Sequence, residues 1–175
     1  IDNVWRSKEE CPDMPLKKIE LTVNSKSGEI SVWNDGYCIP VHQEVSEYTE
    51  PRTGKVISED LYPAEMFFGD MFTGTNYDDG EIRKTSGRNG MGAKATNVFS
   101  SEFKVDCANP TDIAQFTQTY RKNGTYRDDP IVSSFKNKCG YTMITFTPDY
   151  EYFKYPESEV HGVDKNLISL LKLYA

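Results

Sequence analysis

The sequence has only two histidines, and its four cysteines, Cys11, Cys38, Cys107 and Cys139, stand far apart with no Cys-x-x-Cys pair. Zinc sites need clustered sulfur and imidazole ligands, so this pattern argues against one and for reduced thiols in a cytosolic or nuclear compartment. No apolar run approaches membrane-spanning length. Positive charge is scarce: 20 Lys and Arg face 27 Asp and Glu, a formal net charge of −7. Nonspecific nucleic-acid affinity comes from cations neutralising phosphates, so this chain is not expected to grip DNA by itself. Internal repeats and low-complexity tracts are missing as well.

What is present suffices for one folded domain: 175 residues, 37% apolar and 13% aromatic, the aromatics mostly Tyr and Phe. Ile1 stands where an initiator Met would, and Asp2-Asn3-Val4-Trp5 reads as the interior of a helix. The expectation is a piece of a larger protein.

A helix tail over residues 1–10 stops near Pro12 and Pro15. Residues 16–23 alternate as a strand with Ile19, Leu21 and Val23 on one face, Asn24 to Gly28 turn, and residues 29–33 return. The polar stretch 42–60, with Pro51 and Gly54, reads as an extended loop or insertion. Residues 63–72 predict a helix with Pro63 in its first turn and a stripe of Met66, Phe67, Met71 and Phe72. Strand-like runs at 103–107, 116–120, 131–135 and 141–147 predict an antiparallel meander, and residues 167–174 a packing helix.

The most telling stretch is Thr85-Ser86-Gly87-Arg88-Asn89-Gly90-Met91-Gly92-Ala93-Lys94, leading into a helix-like run at 95–99. Three glycines let backbone approach a ligand, and a helix start offers unpaired N–H groups to an anion. Arg88 and Lys94 add charge, and a nucleotide triphosphate tail is the obvious ligand. A surface turn capping a helix is the bland alternative. It is not a P-loop, because Ala93 separates Gly92 from Lys94 and Ala95 replaces the hydroxyl residue.

Two further pieces stand beside it: Trp33-Asn34-Asp35-Gly36-Tyr37-Cys38-Ile39-Pro40 and Phe72-Thr73-Gly74-Thr75-Asn76-Tyr77-Asp78-Asp79. With Asp2-Asn3-x-x-Arg6 and the run from Gly140 to Asp149, their order resembles the N-terminal ATPase domain of eukaryotic-type type IIA DNA topoisomerases, in the superfamily shared with gyrase, heat-shock chaperones, histidine kinases and mismatch-repair ATPases. The resemblance runs nearly end to end. The 42–60 stretch and several substitutions mark a divergent member, as in a large DNA virus.

The resemblance implies an α/β two-layer sandwich of the Bergerat type, a mostly antiparallel mixed sheet covered on one face by helices, with ATP between the layers and Mg²⁺ bridging the phosphates. It implies contacts from Asn3 and Arg6 to ribose or phosphate, and from Asn34 to the adenine amino group. Gly36 would pass close under the base, and Ile39 would line the pocket. Taken alone, Asn34 reads as the start of the Asn-Asp-Gly turn, and a strand-end Ile such as Ile39 is core more often than ligand contact. Thr73, Thr75 and Asn76 match a Thr-Ser-Ser-Asn pattern that meets ribose and phosphate; Gly74 lacks one hydroxyl. Arg88, Asn89, Gly90, Met91, Gly92, Ala93 and Lys94 would wrap the phosphates, and Thr145 would sit beneath adenine. Cys38 and Tyr37 replace a Gly and a Lys of the family pattern, and Met91 a Tyr. Asp78 and Asp79 read as a solvated loop rather than a metal pair.

In the family the general base and a Mg²⁺-binding Asn precede the Asp2-Asn3 pair, and a γ-phosphate Lys comes from a following transducer domain; Glu9 and Glu10, running into Pro12, are poor replacements. The expectation is therefore weak hydrolysis by this piece alone, a homodimer gate, duplex DNA bound through other domains, and no membrane. Localisation would be nuclear for a cellular member and the host cytoplasm for a viral one. A chaperone or mismatch-repair ATPase of the same superfamily, or a non-catalytic interaction module, remains open at this point.

Overall fold

The computed structural model describes residues 16–36, 38–49, 53–69, 91–153 and 165–174. Its main sheet begins with a hairpin of β1 (Ile19–Val23) and β2 (Ile30–Asp35). Asn24 makes the turn, its Oδ1 accepting from the N–H groups of Lys26 at 3.0 Å and Ser27 at 3.2 Å. The strand starts at Ile19 rather than Leu16 because Asp35 Oδ1 takes the Lys17 and Lys18 N–H groups, both at 2.8 Å.

Residues 42–60 do not form the expected extended loop. They contain an antiparallel hairpin, β3 (Glu44–Thr49) and β4 (Val56–Leu61), with its own register and a positive φ of 66° at Gly54. Polarity concealed it: a ribbon with both faces wet has little apolar alternation to read. Asp112 anchors its base by accepting the Val41 N–H at 2.7 Å.

Helix α1 (Pro63–Phe68) buries Pro63, Ala64 and Glu65, and Phe68 packs on the core. Phe67 of the expected stripe is instead 42% exposed. Helix α2 (Gly92–Val98) leads directly into β5 (Ser100–Asn109), followed by β6 (Ala114–Arg121), β7 (Tyr126–Arg127), β8 (Ile131–Ser134) and β9 (Tyr141–Pro148). Helix α3 (Lys165–Tyr174) closes the described chain where a helix was expected, with Leu170 and Leu173 exposed.

The strand order is β1-β2-β9-β5-β6-β7, with β8 also on β6, and every described pairing is antiparallel. The simple meander is corrected here: β9 inserts between β2 and β5. Its alternate residues explain the choice. Ile144 and Phe146 face Val105 and Phe103 on one side, and Val32 and Ile30 on the other. Ile144, Phe146, Val105 and Phe103 join Val41, Ala64, Cys107, Phe116 and Tyr120 in the core beneath the helices. The opposite face is polar, with Ser31, Lys104, Thr117 and Thr145 along neighbouring strands. One sheet covered on one face by helices is the expected two-layer architecture.

Candidate functional site

Asn34 lies near the end of β2, where its Nδ2 donates to the Asp35 carbonyl at 3.0 Å. Its Oδ1 has no hydrogen bond from another described residue and remains an acceptor. Directly across the ladder stands Thr142 of β9, which itself faces Cys107 of β5. Residues opposite one another in a ladder share a face, so the Asn34 amide and the Thr142 hydroxyl both lie on the helix-covered side. Both are half-buried, and beside them on the next strand Cys107 is fully buried.

Thr145 is not brought to this place. It pairs with Ser31 and Lys104 on the opposite face, its Oγ1 donating to Ser31 Oγ at 3.2 Å. Parity in the sequence was the available signal, since Thr142 shares the phase of Ile144 and Phe146 while Thr145 does not. Thr142 is thus the residue the ladder sets beside Asn34, and sequence reasoning did not single it out.

The turn after β2 is shaped by the chain itself. Gly36 has φ +99°, and a Cβ there would come within 2.7 Å of Leu16 Cα. Cys38 is buried and its thiol donates to the Gly36 carbonyl at 3.0 Å, so the Cys in place of a glycine acts as a local clasp. Burial, then the negative Asp35 nearby, pushes its pKa up to about 11. Gly140, just before β9, lies against Cys38 Sγ and the Ala108 carbonyl and leaves no room for a Cβ. Ile39 packs on the core, which is the bland alternative weighed above.

A second polar knot backs this end of the sheet. Tyr141 donates to Asp106 Oδ1 at 2.8 Å, and Gln115 Nε2 donates to the same oxygen at 3.0 Å. Burial, then that hydrogen bond, pushes the Tyr141 phenol well above its ordinary range. Its ring stacks on Trp33 at 6.3 Å, bracing β9 against β2 beside the Asn34–Thr142 pair.

Just before α2, Met91 is exposed, and a Cβ on Gly92 would meet no described atom within 4 Å. Ala93 follows in the first turn. Lys94 is 2% exposed and already engaged, so its charge is held inside rather than presented on the surface. Asn3, Arg6, Thr73, Thr75, Asn76, Arg88, Asn89 and Gly90 lie outside the described residues, as do Glu9, Glu10, Tyr37, Asp78 and Asp79. Among the described residues no group of three or more His, Cys, Asp or Glu converges as a metal site, and no helix is long and apolar enough to cross a membrane. A groove of about 390 Å³ lined by Ser101, Arg121, Lys122, Asn123 and Tyr126 contains none of these site residues.

No family model matches the chain. Among individual proteins, it is 38% identical to a probable DNA topoisomerase 2 of Dictyostelium discoideum over 89% of this chain and 9% of that protein. It is 36% identical to DNA topoisomerase 2 of Plasmodium falciparum over 97% and 11%, and 34% identical to that of Invertebrate iridescent virus 6 over 93% and 14%. The chain thus spans about a tenth of the length of these relatives. The structure superposes on the ATPase region of Saccharomyces cerevisiae topoisomerase II with a TM-score of 0.77 and 29% identity, covering 98% of this chain and 40% of that one. For the ATPase and transducer domains of DNA topoisomerase II from Balamuthia mandrillaris the TM-score is 0.73, with 32% identity over the same shares, 98% and 40%.

Proposed function

As a homologue of the ATPase region of the type II DNA topoisomerases, this chain, we propose, binds ATP and acts within a longer protein as the gate domain of a DNA-strand-passing enzyme. The observation that carries the reading is the Asn34–Thr142 pair. An amide oxygen left free to accept and a hydroxyl able to donate or accept lie side by side on the helix-covered face. That combination suits the adenine edge, with its amino donor and ring-nitrogen acceptors.

Triphosphate would then run toward the loop that ends in α2. Met91, Gly92 and Ala93 would offer backbone N–H groups there, with Arg88, Asn89, Gly90 and Lys94 beside them. No described atom lies within 4 Å of a Cβ built on Gly92, which fits a close approach of phosphate to backbone. Asn3, Arg6, Thr73, Thr75 and Asn76 complete the expected contacts to ribose and phosphate. Gly36 and Ile39 shape the wall next to the base.

Mg²⁺ would accompany the nucleotide. The described residues provide no carboxylate cluster for it, which fits an ion held chiefly by phosphate oxygens and water. Its chemistry would be to neutralise charge on the phosphates. ATP binding would close a gate between two copies of the domain, while other domains hold duplex DNA; the net charge of −7 fits a DNA grip located elsewhere.

Titration calorimetry of the intact protein with a nonhydrolysable ATP analogue and Mg²⁺ tests the binding reading. Saturable one-to-one binding per chain is expected, and DNA should stimulate ATP hydrolysis. A folded protein that binds no adenine nucleotide would refute it.

A further inference from the structure

The polar inward face of α2 points to a function for Asn97. This residue is 3% exposed, and its Nδ2 donates to the Phe68 carbonyl at 3.1 Å, a group at the end of α1 that the helix leaves unpaired. The end of α1 is itself pinned. The Gly69 N–H donates to the Glu65 carbonyl at 2.7 Å, and a Cβ at Gly69 would lie 2.9 Å from the Tyr120 hydroxyl. That hydroxyl donates to Gln118 Oε1 at 2.7 Å, and Gln118 Nε2 donates to the buried Glu65 carboxylate at 2.9 Å. Phe68 therefore offers a fixed anchor, and Asn97 ties α2 to it.

The other half of the amide is unused. Asn97 Oδ1 is buried and has no hydrogen-bond partner among the described residues; it faces Gly124, whose added Cβ would stand 3.4 Å from it. An unpaired buried oxygen is destabilising, a penalty that an apolar residue of similar size would avoid. The donor bond to Phe68 is thus what the amide contributes. Lys94 lies three residues earlier, on the same buried face of the helix, with Gly92 two residues before it.

We propose that Asn97 is a positioning residue for triphosphate binding: by hooking α2 to the fixed end of α1, it sets the placement of the Gly92 backbone toward the phosphates. This rests on the nucleotide reading above. Asn97 makes no described bond to β2 or β9, where Asn34 and Thr142 lie, so its influence should fall on phosphate and not on base.

The test is calorimetry on the intact protein carrying Asn97→Leu, with a nonhydrolysable ATP analogue and, separately, adenosine. Affinity for the analogue should fall about tenfold or more, the scale of a misplaced binding group, while adenosine affinity stays at the parent value. Asn97→Ala, which removes the donor without burying a charge, should give the same selective loss and replaces the leucine variant if that one fails to fold. Equal weakening of both ligands would reduce Asn97 to a structural staple and overturn the proposal. So would an unchanged analogue affinity. A parent protein that binds neither ligand would bring down the nucleotide reading and this inference with it.

Discussion

Asn34 and Thr142 face each other directly across the β2–β9 ladder, whereas Thr145, three residues further along β9, points to the other side of the sheet. Thr142→Val removes a hydroxyl with little change in shape. If that hydroxyl meets the base, it should weaken an ATP analogue by about 0.5–1.5 kcal/mol, roughly two- to tenfold. Thr145→Val should leave affinity unchanged. Parallel titrations of the two variants check the assignment.

Gly92→Val should retain thermal stability and lose triphosphate binding. The side chain meets no described atom within 4 Å, and Gly92 is not among the positive-φ glycines, so neither clash nor backbone strain is expected. A β-branched group would instead fill the space offered to phosphate. Thermal melting and analogue binding, measured on the same preparation, separate the two effects.

Gly36→Ala should behave in the opposite way. Its φ of +99° and the 2.7 Å approach to Leu16 Cα make any Cβ costly. A loss of about 2 kcal/mol or more in unfolding free energy is expected from denaturant titration.

Of the three described cysteines, Cys139 is exposed while Cys38 and Cys107 are buried. Burial pushes their pKa values from 9.0 up to about 11 for Cys38 and about 12 for Cys107. Among these three, alkylation near neutral pH should modify Cys139 alone, as peptide mass spectrometry can read. The fold holds the protons that the unfolded chain gives up near pH 9. The stability contributed by these thiols is therefore full below pH 9 and falls as pH rises toward 11–12. Denaturant midpoints measured from pH 8 upward should decline accordingly.

Much of the fold was legible because local signals agreed with the global sheet. The Asn24–Gly28 turn and the alternation of Ile19, Leu21 and Val23 placed the first hairpin. Pro63 marked the start of α1. The insertion of β9 between β2 and β5 was not legible, because strand order is decided by pairings distant in sequence. That same gap hid Thr142, whose relation to Asn34 exists only through the ladder. Asn97 stayed invisible for a similar reason: its partner, Phe68, lies 29 residues away.

If Asn34 and Thr142 read adenine, the affinity ratio of an ATP analogue to the matching GTP analogue, for the parent and for Asn34→Ala, reports it most directly. The parent should favour adenine strongly, since guanine presents a carbonyl where adenine offers its amino donor to Asn34 Oδ1. Asn34→Ala should lose most of that preference while remaining folded by circular dichroism. Equal binding of the two analogues by the parent, or a preference untouched in Asn34→Ala, would contradict the account.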